Sequence, residues 1–295
     1  MRPLVPLLLL GACAAPDDGD EADTDATWFA DGGFSLADAH ANVLREFSFT
    51  REESDGVAPG FDLDGLDSPA GDPASCGHGD LIDPDGVPGI DNQLAAIWTL
   101  AAPLIGEQVE ELLQGAINEG RMLMVVELVG VDDLRNDDDL SLRLFRGAAD
   151  PELGTLGLIA PDQTYAVDPS TPEVVLDGLS LRDGFLEAGP VAFDLPIDIL
   201  EARFDMPVSD GRIRLRLDEQ GAMHGLIGGI VDVRTMLDEL LATDAAAETE
   251  LVAPIFENNA DMRQVDGTCT GFSVAFGFDG TPGFVVRYPE DAAAE

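Results

Sequence analysis

Apolar positions along the middle of the chain recur at two distinct periods. Leu94, Ile97, Trp98, Ala101, Leu104, Ile105, Val109, Leu112, Leu113, Ala116 and Ile117 fall three and four residues apart, a spacing that gathers side chains on one helix face. Asp91 suits an N-cap and Gly120 a stop. Pro103 lacks the amide an interior turn needs, so a kink or two consecutive helices are expected near Ala102. From Met122 the period shortens to two. Residues 122–129 form an apolar run broken by Glu127, while Leu140, Leu142 and Leu144 alternate with Ser141, Arg143 and Phe145. The acidic stretch 131–139 between them makes the pair a hairpin. Further strands are expected at 174–181, 185–187, 191–199, 202–207, 212–217, 223–227 and 272–278. Turns at Asp183-Gly184, Asp210-Gly211 and Glu219-Gln220-Gly221 punctuate them. Residues 36–50 mix both periods and end in a strand-like Phe47-Ser48-Phe49-Thr50; helices are expected at 232–242 and at 245–258, the latter interrupted by Pro254. The fold class is α+β and β-rich: one antiparallel β-sandwich-like domain over residues 28–295 with a few covering helices.

Residues 60–92 break this regularity, because aspartates alternate there with Gly and Pro in a long acidic loop. The acidity is general: 58 Asp and Glu oppose 15 basic residues, all of them arginine, for a net charge of −43. Nucleic acid is thereby excluded as a partner, since it requires a basic footprint. Without lysine no Schiff-base chemistry is available, and the three histidines, His40, His78 and His224, leave few carriers for acid–base work.

The first residues give the chain an address. Met1-Arg2-Pro3 leads into an apolar run that ends in Leu10-Gly11-Ala12-Cys13, which resembles a bacterial lipoprotein signal with its lipobox. The resemblance implies removal of residues 1–12, lipidation of Cys13, and a membrane reached through acyl chains. An ordinary secretory signal or a buried strand are the alternatives. Residues 13–27 carry six acids and almost nothing to bury, as a solvated tether would. Ala14 after the lipidated position resembles lipoproteins sorted to the outer membrane or cell surface.

Two cysteines remain, Cys76 and Cys269. In an exported protein an even pair suggests one disulfide, with two buried thiols as the alternative. Three stretches are familiar together: Cys76-Gly77-His78-Gly79-Asp80 with Asp83-Pro84-Asp85-Gly86 up to Leu94, Gly115-Ala116-Ile117-Asn118-Glu119-Gly120 leading to Val126-Glu127-Leu128, and Asp266-Gly267-Thr268-Cys269. They resemble a group of predicted lipoproteins encoded in myxobacterial genomes. That likeness implies the address and the two-cysteine pattern, and carries no catalytic residue.

Chemistry is sparse. Gly271-Phe272-Ser273-Val274-Ala275 lacks the last glycine of a nucleophile elbow and sits in a strand pattern, so Ser273 reads as structural. The most specific signal is for calcium. Asp83 and Asp85, followed by Asp91 and Asn92, place hard oxygen donors in a loop that Gly86 and Gly89 allow to turn tightly, with Asp80 close by. The twelfth position from Asp83 is Leu94 where an EF-hand has Glu, so the site is irregular or is completed by residues such as Asp62 and Asp64. The alternative is a solvated acidic turn in which Asp91 caps the helix. Two function classes remain: a non-catalytic envelope module binding a polysaccharide, lipid or protein, and a carboxylate-dependent hydrolase of glycans.

Overall fold

The computed structural model describes residues 39–105, 108–199, 202–243 and 246–287. The leader, the tether and Cys13 lie outside the described residues.

The strand-period stretches form one large, mostly antiparallel sheet. β1 (Ala39–Phe49) pairs with β4 (Met124–Val129) on one side and with β12 (Cys269–Val286) on the other. β4 continues into β5 (Asp137–Ala148), the expected hairpin, with Val129 opposite Ser141. β5 meets the short β6 (Gln163–Val167), which runs parallel to the end of β12 with Gln163 opposite Gly283. These five strands close on themselves, so the layers arise from one curved sheet and the curve buries its own apolar face. Val43, Leu128, Leu142, Phe145 and Tyr165 are all at most 2% exposed. Glu127, the acid in the otherwise apolar β4, is also buried, and its carboxylate accepts from Arg287 at 2.6 and 3.2 Å.

Two arms leave this ring. In the first, β12 pairs with β10 (Met223–Asp232), β10 with β9 (Ala202–Leu217), and β9 with β8 (Phe185–Ile199). In the second, β7 (Val174–Leu181) hangs from β5. Asp210-Gly211, expected as a turn, instead lies inside β9, where register shifts set Val191 opposite Gly211 and Phe193 opposite Val208. Four expected strands thus merge into one long bulged hairpin, because a bulge accepts the same positive-φ residues as a turn, here Asp210 at φ 48°. Asp183-Gly184 does form a tight turn, with Asp183 at φ 50° and Gly184 at φ 73°. The backbones of Arg182 and Phe185 exchange hydrogen bonds of 2.9 and 2.8 Å across it.

The long apolar stripe becomes two consecutive helices, α1 (Gln93–Ile105) and α2 (Gln108–Asn118). Leu94, Ile97, Leu113, Ala116 and Ile117 pack into the main core. The residue that caps α1 is Asn92, whose Oδ1 accepts from Ala95 N at 3.2 Å; Asp91, expected in that role, is turned to other partners. α3 (Val233–Leu241) starts on Asp232, which accepts from Thr235 N, and α4 (Ala246–Asn258) contains Pro254. The described residues form one compact unit.

Candidate functional site

The acidic loop is held by three attachments. First, the short strands β2 (Leu81–Ile82) and β3 (Pro88–Ile90) pair with each other, and Asp91 N donates to Phe61 O at 2.8 Å. Second, Cys76 and Cys269 form a disulfide that ties the loop to the start of β12. Third, Arg214 reaches out of β9. Its guanidinium donates to Asp83 Oδ2 at 3.2 Å, to Gly60 O at 3.0 Å and to Glu187 at 3.2 Å, and it stacks over the Phe61 ring. At Gly60 the loop passes so close to Ile90 that an added Cβ would meet its Cγ2 at 2.6 Å.

The Phe61–Asp91 bridge sets Asp62 and Asp64 beside Asp91. One carboxylate oxygen from each of the three lies within 4.8 Å of the others, so the trio could hold a metal ion. Asp62 and Asp64 are exposed and Asp91 is 3% exposed. Asp91 Oδ2 accepts from Leu63 N at 2.7 Å. Burial, followed by the charges of Asp64, Asp80 and Asp261, pushes the Asp91 carboxyl up to about 8. Asp80 is raised in the same direction by burial, and its Oδ2 accepts from Ser68 N at 2.6 Å. The loop therefore concentrates negative charge around a buried carboxyl, an arrangement that a bound cation would relieve.

The residues expected to ligate divide between two places. Asp91 is in the trio and Asp80 is in electrostatic reach of it, and the two suggested completing residues, Asp62 and Asp64, are the other members. Asp83 and Asp85 belong to the β2–β3 turn instead. Asp83 Oδ1 accepts from Asp85 N at 3.0 Å and its other oxygen faces Arg214. Asn92 is committed to the fold, since its amide donates to Thr50 Oγ1 and Pro59 O at 2.6 and 2.7 Å while its oxygen caps α1.

Ser273 has a structural task. It is fully buried, donates to Asp261 Oδ2, and accepts from Gln93 N at 2.8 Å, so it joins the start of α1 to the sheet. Burial raises the Asp261 carboxyl to about 6. His78, half-buried, has Nδ1 3.2 Å from the Gln93 side-chain amide, and burial lowers its pKa.

Sequence reasoning missed a cleft of about 910 Å³ between the two arms of the sheet. β7 and β8 leave their tight turn and separate, β7 pairing with β5 and β8 with β9, so their edges face one another across a gap. Leu144, Phe145, Val174, Phe193, Val208 and Ile230 line it. Its rim holds Glu173, Asp194, Asp205 and Asp232 with one arginine, Arg146, which pairs with Asp205. Among the described residues that line it there is no histidine and no cysteine. The signal was present in the short Asp183-Gly184 turn, but a turn does not reveal that its two strands choose different partners. Comparison with known proteins returned no matching family model, no matching curated protein and no matching solved structure.

Proposed function

We propose that this chain is a lipid-anchored lipoprotein of the cell envelope, a non-catalytic binding module with its ligand site in the β7–β8 cleft and its acidic loop ordered by calcium. The observation that carries the binding reading is the cleft, whose volume and apolar walls fall within the range of small-molecule sites. The aspartate trio offers only hard oxygen donors on an irregular loop, a set that suits calcium better than zinc. Export is supported by the disulfide, which persists in oxidising compartments. No helix among the described residues is long and apolar enough to cross a membrane. The lipobox-like Leu10-Gly11-Ala12-Cys13 would then supply the anchor, in keeping with the resemblance to myxobacterial lipoproteins and an outer-membrane or cell-surface address.

A glycan hydrolase would need two carboxylates free to face a substrate. In the cleft Asp205 is paired with Arg146, Glu173 with Arg287, and Asp232 caps α3, so the geometry favours binding. Metabolic labelling with palmitate tests the anchor: wild type should label and Cys13→Ser should not, and equal labelling of both would end that part of the reading. Calorimetry of chelator-treated protein tests calcium, for which saturable binding and a raised melting temperature are expected. Unchanged melting in millimolar calcium at constant ionic strength would remove it.

A further inference from the structure

Resting on the reading of the acidic loop as a calcium site, we infer that the Cys76–Cys269 disulfide is a redox latch on that site: a dithiol reductant opens it in the folded protein and thereby weakens calcium binding. The bond is within reach. Cys269 is exposed and Cys76 half-buried, so a thiolate can attack without prior unfolding of the sheet.

The latch governs one segment of the loop. Residues 68–80 are closed at their base, where Asp80 N donates to Ser68 O at 3.0 Å and Ser68 N donates to Asp80 Oδ2 at 2.6 Å. Inside that base the bonds are local, from Gly71 N to Gly77 O at 2.9 Å and from Gly77 N to Asp72 O at 2.7 Å. The segment is tied to the rest of the fold by the disulfide, by the Arg263 guanidinium on Pro73 O and by the Gln93 amide against His78. Cys76 stands at φ 58°, in the left-handed region that a β-carbon disfavours, so its turn relaxes once the bond is cut. The β2–β3 pairing, the Phe61–Asp91 bridge and the Arg214 contacts lie outside the segment and stay in place.

Charge connects the segment to the aspartate trio. Asp80 feels the carboxylates of Asp62 and Asp64, and Asp91 in turn feels Asp80. With the latch closed these acids are held together and a cation relieves their repulsion; with it open the same repulsion drives Asp80 outward and the site loses negative charge. Coupling of this kind is reciprocal, so bound calcium protects the bond. In the opening step a thiolate of the dithiol attacks Cys269 Sγ and Cys76 leaves as thiolate; the second thiol then resolves the mixed disulfide. The protein ends with two cysteine thiols and the dithiol ends as a disulfide, having supplied the electron pair and both protons.

Calcium calorimetry at constant ionic strength tests the latch on three forms: oxidised wild type, wild type reduced with dithiothreitol and alkylated, and the Cys76→Ser, Cys269→Ser double variant. Circular dichroism well below melting should be the same for all three, and both opened forms should bind calcium about tenfold more weakly than the oxidised one. Saturating calcium should slow reduction of the native protein by a similar factor. Equal affinity in oxidised and opened forms, or a reduction rate indifferent to calcium, would overturn the latch and leave the calcium reading standing. Loss of the sheet signal in both opened forms would make the bond a brace for the whole domain and would also overturn the latch. If oxidised wild type binds no calcium, the calcium reading itself falls and takes the latch with it.

Discussion

Replacing Asp91 with Asn separates the energetic cost of a buried carboxyl from the benefit of a bound cation. Asp91 is 3% exposed, and burial, reinforced by its acidic neighbours, holds its carboxyl at about 8 in the folded chain. In the unfolded chain it returns to roughly 3.9. The folded state thus retains a proton that the unfolded state has released, and stability declines as pH rises between these two values. It is highest below about pH 4 and levels off above about pH 8. At pH 7 the gap from the unfolded value is roughly 3 units, which at about 1.4 kcal/mol per unit gives a penalty of up to about 4 kcal/mol in the cation-free protein. Asparagine keeps an acceptor for the Leu63 amide and never ionises. In chelator the Asp91→Asn variant should match wild type near pH 4 and melt higher at pH 7, by about 10 °C for a domain of this size. With calcium the order should reverse, because wild type gains a cation that the variant cannot hold as well. The assay is thermal melting across pH 4–9 at fixed ionic strength, with and without calcium. A constant offset between the two proteins at every pH in chelator would refute the linkage, and an equal calcium response in both would remove Asp91 from the site.

Three further outcomes follow from the packing. Cys76→Ser, or mild reduction of the wild type, should destabilise the domain by up to about 5 kcal/mol, since the bridge closes a span of 193 residues; identical denaturation curves for reduced and oxidised protein would contradict this. Arg214→Lys should loosen the acidic loop at a cost of about 1–3 kcal/mol, because a point charge cannot serve Asp83, Gly60 O and Glu187 and also stack on Phe61. Limited proteolysis within residues 60–92 should accelerate, and unchanged cleavage there would count against the anchor. Tyr165 is 1% exposed, its hydroxyl has no hydrogen-bond partner among the described residues, and burial pushes its pKa up to about 12. Tyr165→Phe should therefore leave stability equal or raise it by about 1 kcal/mol, and a loss of several kcal/mol in chemical denaturation would show that the hydroxyl is bonded.

What could be read from the residues was whatever depends on near neighbours. The β4–β5 hairpin, β7 and α3 followed from local period and turn signals, and β7 matches its expected span of 174–181. The break near Pro103 likewise appeared, as two helices. β6 escaped because five residues, Gln-Thr-Tyr-Ala-Val, carry little period and find their pairing at Gly283, far along the chain. At the candidate metal site the aspartates were visible, but their grouping was not a matter of spacing. Asp62 and Asp64 reach Asp91 through the Phe61 bridge, whereas Asp83, nearer in sequence to Asp91, is drawn away by Arg214 from β9. The divergence of β7 and β8 after their turn depends on which partner each strand finds, information distributed over β5 and β9.

The placement of β12 makes the order of synthesis matter. Among the described residues this strand is the last, yet it pairs with β1, β6, β10 and β11, and its contact with β1 joins residues at Ala41 and Gly283. Until it emerges, β1 lacks one of its two neighbours and the β8–β9–β10 arm has nothing to attach to. Pairings of such long range form slowly. The five-strand ring therefore cannot close until the chain from Ala39 to Val286 is present together, so a fragment lacking β12 leaves the sheet open however much of the rest is made.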